Sequence, residues 1–281
     1  MTLAENRYGK SRVRLVRVKR EKDRHDFSEW TVEVMLQGDF ETCFTEGDNS
    51  KILATDTMKN TVYSLAQKSS ARTMEEFAKE MVDFLLSRNP QVSHAEVGVS
   101  AKAWEHAVAE GKPHPTTFVQ SSGERQTTRV SRAQRGKFSV VSGLENLIIM
   151  KTANSGFEGY IQDSLTTLPP TDDRLLGTAL RAAWTYNTAD GDFDAWRHKI
   201  RAALLGVFAE HGSKSVQHTL YAMGQAVLRN VATVSEIDLT MPNIHCLLVD
   251  LSRFDQDNPN EIFVPTDEPH GYIEARIKRD A

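Results

Sequence analysis

The chain has 281 residues, enough for one large core or for two domains of about 140 residues each. Its 40% hydrophobic and 26% charged content is that of an ordinary globular protein, and no apolar run approaches the roughly 20 residues that span a bilayer. A formal net charge of −4 argues against a dedicated nucleic-acid binder, whose affinity rests on many Lys and Arg contacts to phosphate.

Residues 12–18 read as a strand, followed by a polar turn near Asp23 and a second strand over 30–34. Apolar residues change faces between Leu15 and Val16, which calls for a bulge there or for a sheet contacted on both sides. The basic run 12–24 alternates with Val13, Leu15, Val16 and Val18. A solvated strand surface or a subunit contact accounts for it better than a polyanion site. Thr57 is expected to cap a helix carrying Met58, Val62 and Leu65. Thr73-Met74-Glu75-Glu76 is a capping-box pattern ahead of the stripe Phe77, Met81, Phe84 and Leu85. Strands are predicted over 92–104, 116–131 and 137–152. Between the first two, 105–115 reads as a loop because of Gly111, Pro113 and Pro115.

The second half repeats the order. A strand over 174–187 leads to a helix with Phe193, Trp196, Ile200, Leu204 and Phe208. After a break at Gly212, a second helix carries Val216, Leu220, Met223 and Val227. Strands over 237–251 and 261–278 close the chain. Each half reads as hairpin, two helices, hairpin. Antiparallel strands with helices on one face mean an α+β fold. The sheet edges this leaves would be covered by closure into a multi-subunit barrel.

Cys43 and Cys246 have no CxxC or Cys/His metal spacing, so free, mostly buried thiols in a reducing compartment are expected. The histidines form no HxH or HExxH pattern, and no GxGxxG or Walker loop precedes a helix. No metal, nicotinamide, flavin or ATP site is therefore expected. The first residues lack an apolar signal segment and the last ones lack an S-K-L-type address, so the cytoplasm is the expected compartment.

Two segments carry chemistry. In Leu53-Ala54-Thr55-Asp56-Thr57-Met58-Lys59-Asn60-Thr61, a hydroxyl and a carboxylate stand at a helix start, where free N–H groups and the helix dipole favour an anion. In Pro242-Asn243-Ile244-His245, an amide and an imidazole two residues apart share one strand face. Together they offer hydroxyl, amide and imidazole, the parts of a proton relay. Taken singly, each candidate also has a plain structural reading: Lys10 an exposed strand lysine, Thr55 and Asp56 capping residues, Phe157 a core ring, Arg174 a surface ion-pair member, Gln217 a cap and His245 a core histidine.

What separates the readings is the order of further motifs: Tyr8-Gly9-Lys10, Ser155-Gly156-Phe157-Glu158-Gly159-Tyr160, Thr166-Thr167-Leu168, Asp173-Arg174, Val216-Gln217-x-Thr219-Leu220-Tyr221 and Asp257-Asn258-Pro259-Asn260-Glu261. With the two segments above, this series resembles the cofactor-free urate oxidases. The resemblance covers most of the chain. It departs at Ile244, where a lysine is common, at Tyr160, where a phenylalanine is common, and over 89–115. Ile244 is expected to point away from His245.

The resemblance implies two tandem tunnelling-fold domains, 1–136 and 137–281, with antiparallel sheets and helices on the outer face. It implies a homotetramer around a central tunnel, with active sites at subunit interfaces, and oxidation of urate by O2 and water without a cofactor. Phe157 would stack on the purine, Arg174 would fork onto adjacent acceptors, and Gln217 with the Val216 N–H would hold the opposite side. Asp56 would stand at the rim. Thr55 and Asn243 would flank the place of O2 and then water, and Lys10, Thr55 and His245 would form the relay. Lys10 accepts a proton only when neutral, which calls for burial or a nearby cation. Two other readings stay open at this point. One is a tunnelling-fold enzyme acting on another purine or a pterin, and the other is a non-catalytic purine-binding scaffold.

Overall fold

A computed structural model of the protein describes residues 1–266 and 268–280. The chain forms two units, Met1–Leu144 with Thr185–Asp194, and Glu145–Trp184 with Ala195–Ala281. The first is built on β1 (Tyr8–Arg20), β2 (His25–Gly38), β3 (Val92–Ala109) and β4 (Lys112–Ala133), paired antiparallel in that order. A short helix α1 (Glu41–Thr45) follows β2, then α2 (Thr55–Lys68) and α3 (Met74–Arg88). β5 (Ser139–Lys151) starts in this unit.

Alternation along β2 decides the core. Trp30, Val32, Val34 and Leu36 are buried while the residues between them are only partly covered, as a sheet packed on one face requires. Against them lie Val97 and Val99 of β3 and Phe77, Met81 and Leu85 of α3, all almost inaccessible. Each such side chain contributes roughly 1.5–3 kcal/mol through burial. The capping box expected at Thr73 is present: its hydroxyl accepts the Glu76 N–H at 3.2 Å, and the Glu76 carboxylate accepts the Thr73 N–H at 3.2 Å. α3 packs on β3 and β4, and α2 packs on β1.

The second unit holds β6 (Leu176–Tyr186), α4 (Phe193–Glu210), α5 (Val216–Asn230), β7 (Val234–Leu248), β8 (Phe263–Thr266) and β9 (Tyr272–Lys278), although β6 and α4 each run past its boundary. α5 lies on β7 and β9, with Leu220, Met223 and Val227 buried over Ile237, Leu239 and Met241. Sheets and helices make the protein α+β, with every pairing between the named strands of both units that the structure registers being antiparallel.

Several expectations are corrected. Residues 105–115 are not a loop but the end of a long β3–β4 hairpin. Glu110 and Gly111 take left-handed φ values of 50° and 75°, a two-residue turn whose twist suits a hairpin. The prolines are tolerated where the ladder is already irregular, at His106/Val108. Residues 261–278 form two strands, not one. No bulge occurs at Leu15/Val16; the register shifts instead between Lys10 and Val13, with Arg12 at φ 57°. α2 starts three residues earlier than a Thr57 cap allows, with Ala54 in the capping position and no side-chain cap. Neither cysteine is buried: both are half-exposed and free, and Cys43 donates its thiol to Asn49.

Candidate active site

The first unit gathers Lys10, Thr55 and Asp56. Gly9 sits so close to β2 that an added Cβ would lie 1.8 Å from the Val34 carbonyl oxygen, and this tight approach sets Lys10 opposite Val34 just before the bulge. One residue earlier, the Tyr8 hydroxyl accepts the Leu53 N–H at 2.8 Å and donates to the Leu53 carbonyl at 3.1 Å. That double bond joins the start of β1 to the entry of α2, 45 residues away. Burial pushes the Tyr8 phenol above its usual range, against the Leu53 hydrogen bond, so it stays a donor. Thr55 is the first residue of α2 and is exposed. Lys59, bonded to Asp56, holds that carboxyl below the usual carboxylate range, helped by Asn60 at 3.0 Å and by the field of Lys10.

The second unit gathers Phe157, Arg174, Val216, Gln217, Asn243 and His245. The loop bearing Phe157 is tied at both flanks. Its Phe157 N–H donates to Thr171 at 2.7 Å, with the reverse bond at 3.1 Å, and the Gly156 N–H donates to the Ser213 carbonyl at 2.9 Å. Asp173 accepts the Ser155 N–H at 2.9 Å. These bonds hold Phe157 beside the 171–174 segment and beside Ser213, three residues ahead of α5. The Arg174 guanidinium lies 4.9 Å from the Phe157 ring centre. Burial lowers the Arg174 pKa from its ordinary value, opposed by Tyr160, and its Nε is buried with no acceptor. A buried charged donor left without a partner costs free energy that a ligand acceptor would recover.

β7 places the rest. It pairs with β9 up to Pro242 and with β8 from His245 onward, so Asn243 falls where the partner strands change. Its backbone N–H donates to Gly271 at 2.8 Å, and its side-chain amide lies 3.4 Å from His245 Nδ1. Phe157, Asp173, Arg174, Asn243 and His245 line one cavity of about 360 Å³. Ile244 borders it too while packing over Gly177. Val216 and Gln217 are not among its lining residues. They form the first turn of α5, Val216 buried and Gln217 exposed, as expected from sequence.

Three residues that position these groups were not assigned a role from sequence: Tyr8, Asp173 and Tyr160. All three stood in motifs, but they act on backbone atoms or on a neighbouring ring, which sequence spacing does not show. Tyr160 stacks on Phe157 with ring centres 4.7 Å apart and planes 10° from parallel, its hydroxyl donating to the Leu168 carbonyl. An aromatic face, a charged planar fork, an amide and an imidazole around one cavity suit a flat, anionic, polar heterocycle. Among the described residues, no three His, Cys, Asp or Glu side chains are grouped so as to hold a metal ion, and no helix is long and apolar enough to cross a membrane.

The family model described as Uricase matches residues 6–131 and 140–274. The chain belongs to the uricase family. It is 39% identical to the uricase of Arthrobacter globiformis over 280 residues, covering 100% of this chain and 91% of that protein. It is 38% identical to the uricase of Dictyostelium discoideum, covering 99% of this chain and 98% of that one. The crystal structure of the Arthrobacter globiformis uricase matches with a TM-score of 0.95 at 38% identity, over 100% of this chain and 96% of its own. The first matched range includes 89–115, where the sequence motifs depart from the family. Uricase membership makes this chain an enzyme, a urate oxidase.

Proposed function

We propose that the protein catalyses urate + O2 + H2O → 5-hydroxyisourate + H2O2, a step of purine breakdown, with no metal or organic cofactor. Urate loses two electrons and gains a hydroxyl from water, and O2 takes the electrons and two protons. The observation that carries the reading is the buried, unpartnered Nε of Arg174 beside the Phe157 ring, at a cavity shared with Asn243 and His245. Phe157 stacks on the purine, Arg174 forks onto one edge, and Gln217 with the Val216 N–H takes the other, in the first turn of α5 where the dipole favours an anion. Deprotonated urate is itself a good reductant, so the protein's task is to place O2 and move protons. Asn243 and Thr55 flank the place of O2 and then water. Thr55 passes a proton to Lys10, and His245 completes the relay.

Each working site is composite: Lys10, Thr55 and Asp56 come from one subunit and the Phe157, Arg174, Gln217, Asn243 and His245 set from its two-fold partner, within a homotetramer. Two features support this. The two sets belong to different units of the chain, and in each half a pair of strands is followed by helices and then by further strands, an order that fits tandem tunnelling-fold domains. Large apolar side chains are also exposed, among them Leu247, Leu248, Val264 and Tyr272, of the kind a subunit contact covers. The alternative of a purine-binding scaffold without catalysis is disfavoured by the presence of Lys10, Thr55, Asn243 and His245 together.

Complementation tests the composite site. Thr55→Ala and Arg174→Ala proteins should each be almost inactive. In a mixed two-fold pair both lesions fall in one site and leave the other intact. Random assortment makes about half the pairs mixed, so co-expression should restore about a quarter of the unmodified activity. If mixed oligomers form and activity stays at the sum of the two variants, each site lies within one chain.

A further inference from the structure

His218 and His211 have no part in the chemistry above, yet they stand directly beside the residues that hold urate. Ser215 caps α5, its hydroxyl accepting the His218 N–H at 3.1 Å. The His218 side chain answers: its Nδ1 accepts the Lys214 N–H at 3.4 Å. This is the reciprocal logic of a capping box, shifted one residue outward, with an imidazole where Glu or Gln is usual. The turn so closed contains Val216 and Gln217.

We propose that His218 forms a titratable cap on α5, and that its protonation releases the first turn of the helix and sets the acid limit of urate binding. The proposal rests on the assignment of Val216 and Gln217 to urate made above. An imidazole that gains a proton at Nδ1 has no lone pair there and becomes a donor facing the Lys214 N–H. The added positive charge also meets the positive end of the helix dipole.

A second histidine and a lysine stand beside it. The His211 ring stands edge-on to His218 with centres 4.3 Å apart. The Lys151 ammonium of β5 donates to the His211 carbonyl at 2.8 Å, and His211 Nδ1 lies 3.2 Å from the hydroxyl of Thr219, which is fully buried. Burial, then His218, then Lys151 lower the His211 pKa from its ordinary value. The disturbance has a short path to the stacking residue as well. Ser213, just before the cap, donates to Asn154 at 3.1 Å and accepts the Gly156 N–H at 2.9 Å, and Gly156 immediately precedes Phe157. One protonation therefore loosens both the amide and the aromatic side of the purine pocket. His211 and His218 are positioning residues, acting through α5 and the Phe157 loop.

The test is urate affinity in nitrogen-purged buffer, where turnover stops, measured from about pH 7.5 to about pH 5.5, within the range in which histidines change charge. His218→Gln keeps an acceptor for the Lys214 N–H and cannot titrate. Between those limits the Kd of the unmodified protein should rise about fivefold more than that of His218→Gln, the scale set by losing one helix cap. Comparison at equal pH cancels the titration of urate itself. Gln217→Ala separates this proposal from the reading beneath it. If Gln217→Ala weakens binding while the two pH profiles coincide, the titratable cap is wrong and the site assignment stands. If Gln217→Ala binds urate normally, the assignment fails and the proposal fails with it. Amide exchange over 214–219 in the unmodified protein, corrected for the intrinsic pH dependence, gives a check that needs no variant. Protection should fall toward pH 5.5, and unchanged protection overturns the proposal.

Discussion

Replacing Arg174 by alanine is expected to raise the KM for urate by about 100-fold or more, since two charge-assisted hydrogen bonds contribute about 3 kcal/mol or more. In the proposed site the guanidinium holds the purine in both the ground and the transition state, so most of the loss should appear in KM. A smaller fall in kcat should accompany it, because a purine held by Phe157 alone can turn on the ring face. Arg174→Lys should rescue little: a point charge replaces a planar fork. Steady-state kinetics with thermal unfolding as a control would check this. Removing a charged group whose Nε is buried without a partner should leave folding intact or improved. A KM within a few-fold of the unmodified protein would remove Arg174 from the purine site.

Replacing Lys10 by methionine should do the opposite. The side chain keeps its length and its packing on β1 but loses the group that handles a proton. General acid–base catalysis contributes about 100- to 10,000-fold, so kcat should fall by at least about 100-fold. Urate affinity without oxygen should stay within a few-fold, because the role proposed for Lys10 is in the relay and not in the purine clamp. The variant should fold, since Lys10 is part-exposed and Gly9, which meets the Val34 carbonyl, is untouched. If Lys10→Met turns over urate at the normal rate, the relay must run through other groups.

How much of this was readable in the sequence differs from element to element. α3 announced itself through Thr73 and Glu76, a local device whose partners are three residues apart, and α5 through its apolar stripe and the break at Gly212. α2 did not. The sequence offers three threonines, Thr55, Thr57 and Thr61, and local chemistry favours a hydroxyl cap. The entry is settled by Tyr8, which takes both backbone groups of Leu53 from 45 residues away, and a local pattern carries no trace of that bond. The long hairpin at 105–115 was hidden for a related reason. Gly and Pro ordinarily mark loops, and only the pairing of Val108 with Pro113 and of Ala109 with Lys112 shows the turn confined to Glu110 and Gly111. The split of 261–278 into two strands, by contrast, had a signal that was available, in Pro269 and Gly271.

The site follows the same division. Lys10, Thr55, Phe157, Arg174, Asn243 and His245 could be proposed from the sequence because a series of motifs in order carries far more information than any one of them, and the structure brings Phe157, Arg174, Asn243 and His245 to one cavity. The groups that hold them were not. Asp173 bonds a backbone N–H in the Phe157 loop, Tyr160 backs the Phe157 ring, and His218 closes a cap on Lys214. Each acts through geometry that residue type alone does not fix.

The most direct measurement is of metal-stripped protein in air-saturated buffer with urate, following the near-ultraviolet absorbance of urate, the O2 consumed and the H2O2 released. Loss of urate, O2 uptake and peroxide should appear in equal amounts, at a rate unchanged by prior exhaustive chelation. Urate loss that stops after chelation and returns with a metal, or that proceeds without peroxide, would contradict a cofactor-free oxidation at this site.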